Sequence, residues 1–159
     1  KVSVLIESNR VMFTYGHYTL FTHIIEGNFP DYSKAIPTTN NNVLIIDKNK
    51  LKDAIKRVSL LASEETFKLK FDINEESLII SSTKREEGDA VERIEDYKYS
   101  GEELSIAFNY RYLSAIINVI ESAEVEIKLG KSNEPALFFN TEIDENYSAR
   151  FLLMPLRLT

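Results

Sequence analysis

Residues 47–61 read DKNKLKDAIKRVSLL, and they decide the fold because the same pattern returns at residues 109–120 as NYRYLSAIINVI. In the first stretch Leu51, Ala54, Ile55, Val58 and Leu61 recur at helical spacing, with Asp47 placed to cap the opening turn. In the second, Asn109 is the cap and Leu113, Ile116, Ile117 and Ile120 form the apolar stripe. Shifting the first helix by 62 residues lays Leu51, Ala54, Ile55 and Val58 on Leu113, Ile116, Ile117 and Ile120. The outward residues differ in charge. The first helix shows Asn49, Lys52, Asp53 and Lys56, and the second Arg111, Ser114, Asn118 and Glu121.

Each helix is preceded by a short apolar run, residues 43–46 and 104–108, and followed by three extended segments. After the first helix these are 67–72, 77–83 and 90–97. After the second they are 125–129, 136–139 and 147–154, with Gly130 and residues 141–146 as turns. The order is strand-helix-strand-strand-strand, written twice. This is an α+β pattern in which both helices lie on one face of antiparallel sheet and line one surface together. Residues 1–25 add strand-like runs at 2–6, 11–15 and 18–25 with no helix before them, as in the end of an earlier copy. A half-copy cannot bury its own apolar face, so further sequence is expected upstream, and the lack of an initiator Met points the same way. The segment 26–42, with Gly27, Pro30, Pro37 and three successive Asn residues, reads as a boundary.

Composition narrows the function classes. The chain has 159 residues, 43% hydrophobic and 28% charged, which fits one soluble domain plus a piece of another. No run of about 18 apolar residues exists to span a membrane, and the start lacks the layout of a secretion signal. With no cysteine, a disulfide framework, a thiolate nucleophile and a cysteine-ligated metal are excluded; a cytoplasmic location is expected. HExxH, GxSxG and Gly-rich phosphate loops are missing, and His17 and His23 sit in strand-like runs without companions. No catalytic constellation is visible.

The net charge of −6 is unevenly spread. Residues 38–70 carry seven basic and four acidic side chains, the excess lying in Lys48, Lys50, Lys52, Lys56 and Arg57. Residues 71–108 carry four and eleven, concentrated in Glu86, Glu87, Asp89, Glu92, Glu95 and Asp96. The two signs therefore occupy different elements.

Three motifs carry a resemblance. The segment Glu26-Gly27-Asn28-Phe29-Pro30-Asp31-Tyr32, the Phe108-Asn109-x-x-Tyr112 start of the second helix, and the terminal Met154-Pro155-Leu156-Arg157-Leu158 resemble the bacterial sliding-clamp family, the beta subunit of DNA polymerase III. They come in the family's order and span the whole chain; Thr159 extends past the family's usual Leu terminus. The resemblance implies residues 1–36 as the end of a middle domain and 37–159 as a complete third domain, each family domain being two strand-helix-strand-strand-strand halves. It implies a two-subunit ring around duplex DNA and no enzyme activity or cofactor of its own.

The implied roles fall into three groups. Lys48, Lys52, Lys56 and Arg111 would face double-stranded DNA without reading its sequence, because a sliding ring needs sparse phosphate contacts rather than tight ones. Pro30, Lys34, Ala35, Asn109, Tyr112, Pro135, Leu152, Met154, Pro155, Leu156, Arg157 and Leu158 would line a cleft for short peptides of the polymerase III catalytic subunit, the clamp loader and other replication or repair proteins. Leu60, Leu61, Asp89, Glu92 and Asp96 would meet the other subunit of a homodimer, acid against a basic edge. Each group has a plainer alternative: a solvated helix face, a last strand packed in the core and ended by Pro155, and an acidic edge kept for solubility. For the whole chain the alternatives are an antiparallel-sheet interaction module unrelated to DNA, or part of an enzyme whose catalytic residues lie upstream.

Overall fold

The computed structural model describes residues 1–84, 88–142 and 148–158. The chain divides into two compact units, Lys1–Tyr32 and Ser33–Thr159; the boundary read from sequence lies a few residues further on.

The first unit is an antiparallel meander of β1 (Ser3–Ile6), β2 (Arg10–Tyr15) and β3 (Tyr18–His23). Tyr15 pairs with Tyr18 across a two-residue loop. Gly16 there takes φ 57°, which a primed hairpin turn demands of its first central residue. Val4, Ile6, Leu20 and Phe21 are all exposed.

The second unit holds β4 (Asn42–Asp47), α1 (Lys48–Val58), β5 (Lys68–Ile73), β6 (Leu78–Lys84), β7 (Gly88–Ile94), β8 (Tyr97–Ser100), β9 (Leu104–Asn109), α2 (Tyr110–Val119), β10 (Glu124–Leu129), β11 (Ala136–Asn140) and β12 (Arg150–Leu153). Both caps act as their side chains require: the carboxylate of Asp47 accepts from the Lys50 amide at 2.8 Å and the Asn109 carbonyl from the Arg111 amide at 2.9 Å.

The strands form two antiparallel sheets, β12-β11-β10-β4-β8 and β7-β6-β5-β9. Each sheet takes the three post-helix strands of one copy and borrows the first strand of the other. The borrowed strands sit in matching register, because each helix cap lies opposite the first residue of the strand it joins: Asp47 faces Glu124, and Asn109 faces Lys68. The amide of each helix's first residue then donates to the other copy, Lys48 to the Ala123 carbonyl at 2.9 Å and Tyr110 to the Phe67 carbonyl at 2.8 Å.

Alternation along β4, β5, β6 and β10 sends one face of each sheet inward. Leu44, Ile46, Leu69, Phe71, Ile80, Val125 and Phe138 meet Leu51, Ile55, Leu113 and Ile117 from the helices. The Phe108 ring joins the copies edge-on, 5.8 Å from Phe71 and 6.3 Å from Phe138. Each such side chain, fully buried, is worth about 1.5–3 kcal/mol. α1 packs on β4, β6, β7 and α2, and α2 on β9, β12 and α1, so the helices lie side by side.

One strand departs from the sequence reading. Residues 90–97 read as a single strand, but β7 stops at Ile94 and a separate β8 begins at Tyr97. Ile94 is the last core residue of its run, and Tyr97 is held elsewhere, its hydroxyl donating to the Asn74 carbonyl at 2.8 Å. β8 then crosses to pair with β4, Lys98 opposite Ile45. The second copy repeats this move in reduced form: after β12 the chain crosses to β9, where Leu156 makes an isolated bridge with Ala107. Ala107 is the residue that the 62-residue shift lays on Ile45. Among the described residues the last strand runs from Arg150 to Leu153; Tyr147, the start expected from sequence, most of the expected 141–146 turn, and Glu86 and Glu87 lie outside the described residues.

Candidate functional site

The outward stripe of α1 carries Asn49, Lys52, Asp53 and Lys56, all exposed. Lys52 and Lys56, one turn apart, have no ion-pair or hydrogen-bond partner among the described residues. Lys48 is placed differently. It is half-buried, and its ammonium donates to the Ile120 carbonyl at 3.0 Å, tying the start of α1 to the end of α2. Arg111 is exposed at the start of α2, with its guanidinium lying 3.7 Å over the Phe67 ring. Of the four basic residues predicted to face DNA, two thus remain exposed and unpaired on one helix face among the described residues.

The C-terminal segment gathers part of the predicted cleft. Leu156 donates its amide to the Ala107 carbonyl at 2.7 Å, two residues before Asn109. The chain then leaves the β9 edge. The Lys68 ammonium catches the Arg157 and Leu158 carbonyls at 3.5 and 3.3 Å, and Leu158 closes a cavity of about 200 Å³ lined by Thr66, Lys68, Lys70, Ser81, Thr83 and Ala107. On its other side, Pro155, Leu156, Arg157 and Leu158 form an open cavity of about 390 Å³ with Ser132 and Asn133. Pro135 precedes β11, whose Ala136 pairs with Leu153, so the register carries Pro135 alongside Met154. Leu152 is half-buried in β12, and Met154 and Tyr112 are 57% and 65% exposed. Lys34 and Ala35 are exposed at the end of the short 3-10 turn Tyr32–Lys34, and Pro30 belongs to the first unit. Sequence reasoning missed Lys68, Ser132 and Asn133, which carry no motif and reach the tail only through the fold.

The acidic element is an edge strand: β7 is the outermost strand of its sheet. Asp89 is exposed, as are Leu60 (76%) and Val91 (67%), while Leu61 is half-buried. The separate charges seen in sequence pair with each other in the fold. Arg57 grips Glu92 through Nε at 2.9 Å and a second bond from Nη2, and Lys50 pairs with Asp96. The hydrogen bond from Arg57 holds the Glu92 carboxyl below its usual range, and that from Lys50 does the same for Asp96. No group of three or more His, Cys, Asp or Glu among the described residues is placed to hold a metal ion. No helix of the described residues is long and apolar enough to cross a membrane.

Comparison with known proteins places this geometry in a family. The family model described as the DNA polymerase III beta subunit, C-terminal domain, matches residues 33–157. The chain is 27% identical to the beta sliding clamp of Pseudomonas aeruginosa over 158 residues and 32% identical to that of Treponema pallidum over 160, covering 99% and 98% of this chain. It spans 42% of the length of each of these relatives. Among solved structures, the Bartonella birtlesii sliding clamp bound to griselimycin superimposes with a TM-score of 0.91 at 27% identity, over 99% of this chain and 41% of that one. The P. aeruginosa clamp gives 0.90 at 27% identity, over 99% and 42%. The shared C-terminal-domain match, taken with the doubled strand-helix pattern and its side-by-side helices, makes this chain a member of the DNA polymerase III beta subunit family.

Proposed function

We propose that this chain acts within a sliding clamp, a two-subunit ring that encloses duplex DNA without sequence preference and tethers the replicative polymerase as a processivity factor. On this reading residues 1–36 close a middle domain and residues 37–159 are the third. The protein is a cytoplasmic, non-catalytic accessory subunit that needs no cofactor. The observation that carries it is the paired helices, apolar faces inward, whose outer surface offers Lys52 and Lys56 among Asn49, Asp53, Ser114 and Asn118. Two exposed ammonium groups attract phosphate without a fork to read bases, and enclosure supplies the residence time.

The tail and its neighbours, Asn109, Tyr112, Pro135 and Leu152 to Leu158, with Lys34 and Ala35, would take apolar side chains of partner peptides from the polymerase, the clamp loader and repair proteins. A Met, two prolines and a Tyr make an adaptable apolar surface. The β7 edge with Leu60, Leu61, Asp89, Glu92 and Asp96 would meet the second subunit. Its exposed apolar residues support that, and the ion pairs of Glu92 and Asp96 mean that a partner's cations would have to share those acids.

Retention on DNA circles tests the ring. The full-length protein should stay on a closed circle at moderate salt and be lost when the circle is cut, and Lys52→Ala with Lys56→Ala should flatten the salt dependence of loading by about two charges. Equal retention on cut and closed DNA would end the proposal.

A further inference from the structure

The duplication carries the proposed peptide surface to a second place in the same unit. Moving back by 62 residues takes Asn109 to Asp47 and Tyr112 to Lys50, each at the same turn of its helix. The strand registers complete the correspondence. Leu156 bridges Ala107 as Lys98 pairs with Ile45, so Met154 and Pro155 answer to Asp96 and Tyr97. These counterparts converge: Asp47, Lys50, Asp96, Tyr97, Lys98 and Glu124 line one cavity of about 320 Å³ beside β8.

The chemistry of the two places is opposite. Where the tail side has Tyr112, Met154 and Leu156, the β8 side has Lys50, Asp96 and Lys98. The Lys50 ammonium donates to the Asp96 carboxylate, and the Asp47 carboxylate is taken by the Lys50 amide. Lys98 is exposed and makes no ion pair among the described residues. An ion pair as exposed as that of Lys50 and Asp96 adds little to stability. Its effect on a ligand is larger. An apolar side chain seated there would strip water from Lys50, Asp96 and Glu124 and offer them no hydrogen bond in return.

We infer that the cavity beside β8 is a latent copy of the peptide cleft, and that Lys50, Asp96 and Lys98 are the residues that close it to apolar partner peptides. Three side chains then decide which duplicate captures partners. The inference rests on the proposed cleft and names what keeps its counterpart empty of the same ligands. Asp96 gains a role besides the one proposed at the β7 edge.

The test adds a nitroxide-labelled octapeptide, two leucines and a phenylalanine among serines, to the full 159-residue chain and reads the broadening of backbone amides by NMR. In the wild type, amides around Tyr112 and Met154 should broaden and those around Lys50 and Lys98 should not. Lys50→Tyr with Asp96→Met and Lys98→Leu should bind a second peptide, with new broadening at residues 45–50 and 96–100 and an affinity within about tenfold of the tail site. Tyr112→Lys with Met154→Asp, which copies the charged chemistry to the tail, should weaken binding there at least about tenfold. All five positions are exposed, and the dispersion of the amide spectrum reports whether each variant folds. If the wild type broadens around Lys98 as well, or the folded triple variant shows nothing there, the inference is wrong. If the triple variant gains broadening around Lys98 while the wild type shows none around Met154, the latent site stands and the cleft assignment fails.

Discussion

β8 and the C-terminal tail occupy equivalent places and are built to different depths. Each follows the last strand of its copy and crosses to the free edge of that copy's first strand, at Ile45 in one case and Ala107 in the other. β8 pairs through four residues, and two tyrosines pack it against the core. The tail makes an isolated bridge at Leu156, then bends over the sheet with Lys68 beneath it. Register lays Pro155 where β8 has Tyr97; a proline on the outer edge also blocks a further strand from pairing there. The firmly paired copy holds its last segment against the core, while the loosely paired one leaves Met154, Arg157 and Leu158 exposed.

The largest expected effect separates the two directly. Tyr97→Ala removes a half-buried ring and its hydrogen bond to Asn74 and should cost about 2–3 kcal/mol of global stability in urea unfolding. Leu156→Ala should cost under about 1 kcal/mol while exchange at the Leu156 amide speeds well beyond that of the core. Equal losses from the two changes would show that the tail is as firmly built as β8.

How much of this contrast can be read from sequence depends on the range of the interactions involved. The helices and their caps are legible because Asp47 and Asn109 act within one turn of themselves. The strand exchange between copies is not, since nothing local to residues 42–47 distinguishes pairing with β10 from pairing with β5. β8 is easily merged with β7 because both runs alternate, but the inward positions shift from Ala90, Glu92 and Ile94 to Tyr97 and Tyr99, and that change of phase at Glu95-Asp96 marks the break. The motif residues of the tail are legible by resemblance. The φ of 53° at Phe67 is not, because left-handed backbone is expected of Gly or Asn, and the Lys50 and Arg57 ion pairs span 46 and 35 residues.

A middle-sized effect would sharpen the picture at the tail. Phe67→Ala removes an edge-on ring pair and the Arg111 stack, together about 1–2 kcal/mol, and leaves a residue that still resists positive φ. Differential scanning calorimetry should show a lowered Tm for this variant, with the loss smaller in Phe67→Gly, where the backbone strain is relieved. A larger loss in the glycine variant would mean that φ 53° carries no strain.

The smallest effect is a pH dependence confined to the β7–β8 side. Folded Glu92 and Asp96 hold their protons less tightly than the unfolded chain does, so their contribution is complete above the ordinary carboxylate range of roughly pH 4–4.5. It is lost as pH falls through their lowered values. Glu92→Gln with Asp96→Asn should therefore flatten the decline of stability between about pH 5 and pH 3, while amide exchange at Leu156 stays unchanged. A variant with the wild-type slope would show that these pairs contribute nothing measurable.

The exchanged strands have a consequence for how this unit comes apart. Because β4 completes one sheet and β9 the other, neither duplicate owns a whole sheet, and separating them would strip a paired neighbour from β10 and from β5 at once. The two halves interlock like clasped hands: pulling one duplicate away from the other must break the β4–β10 and β5–β9 ladders together.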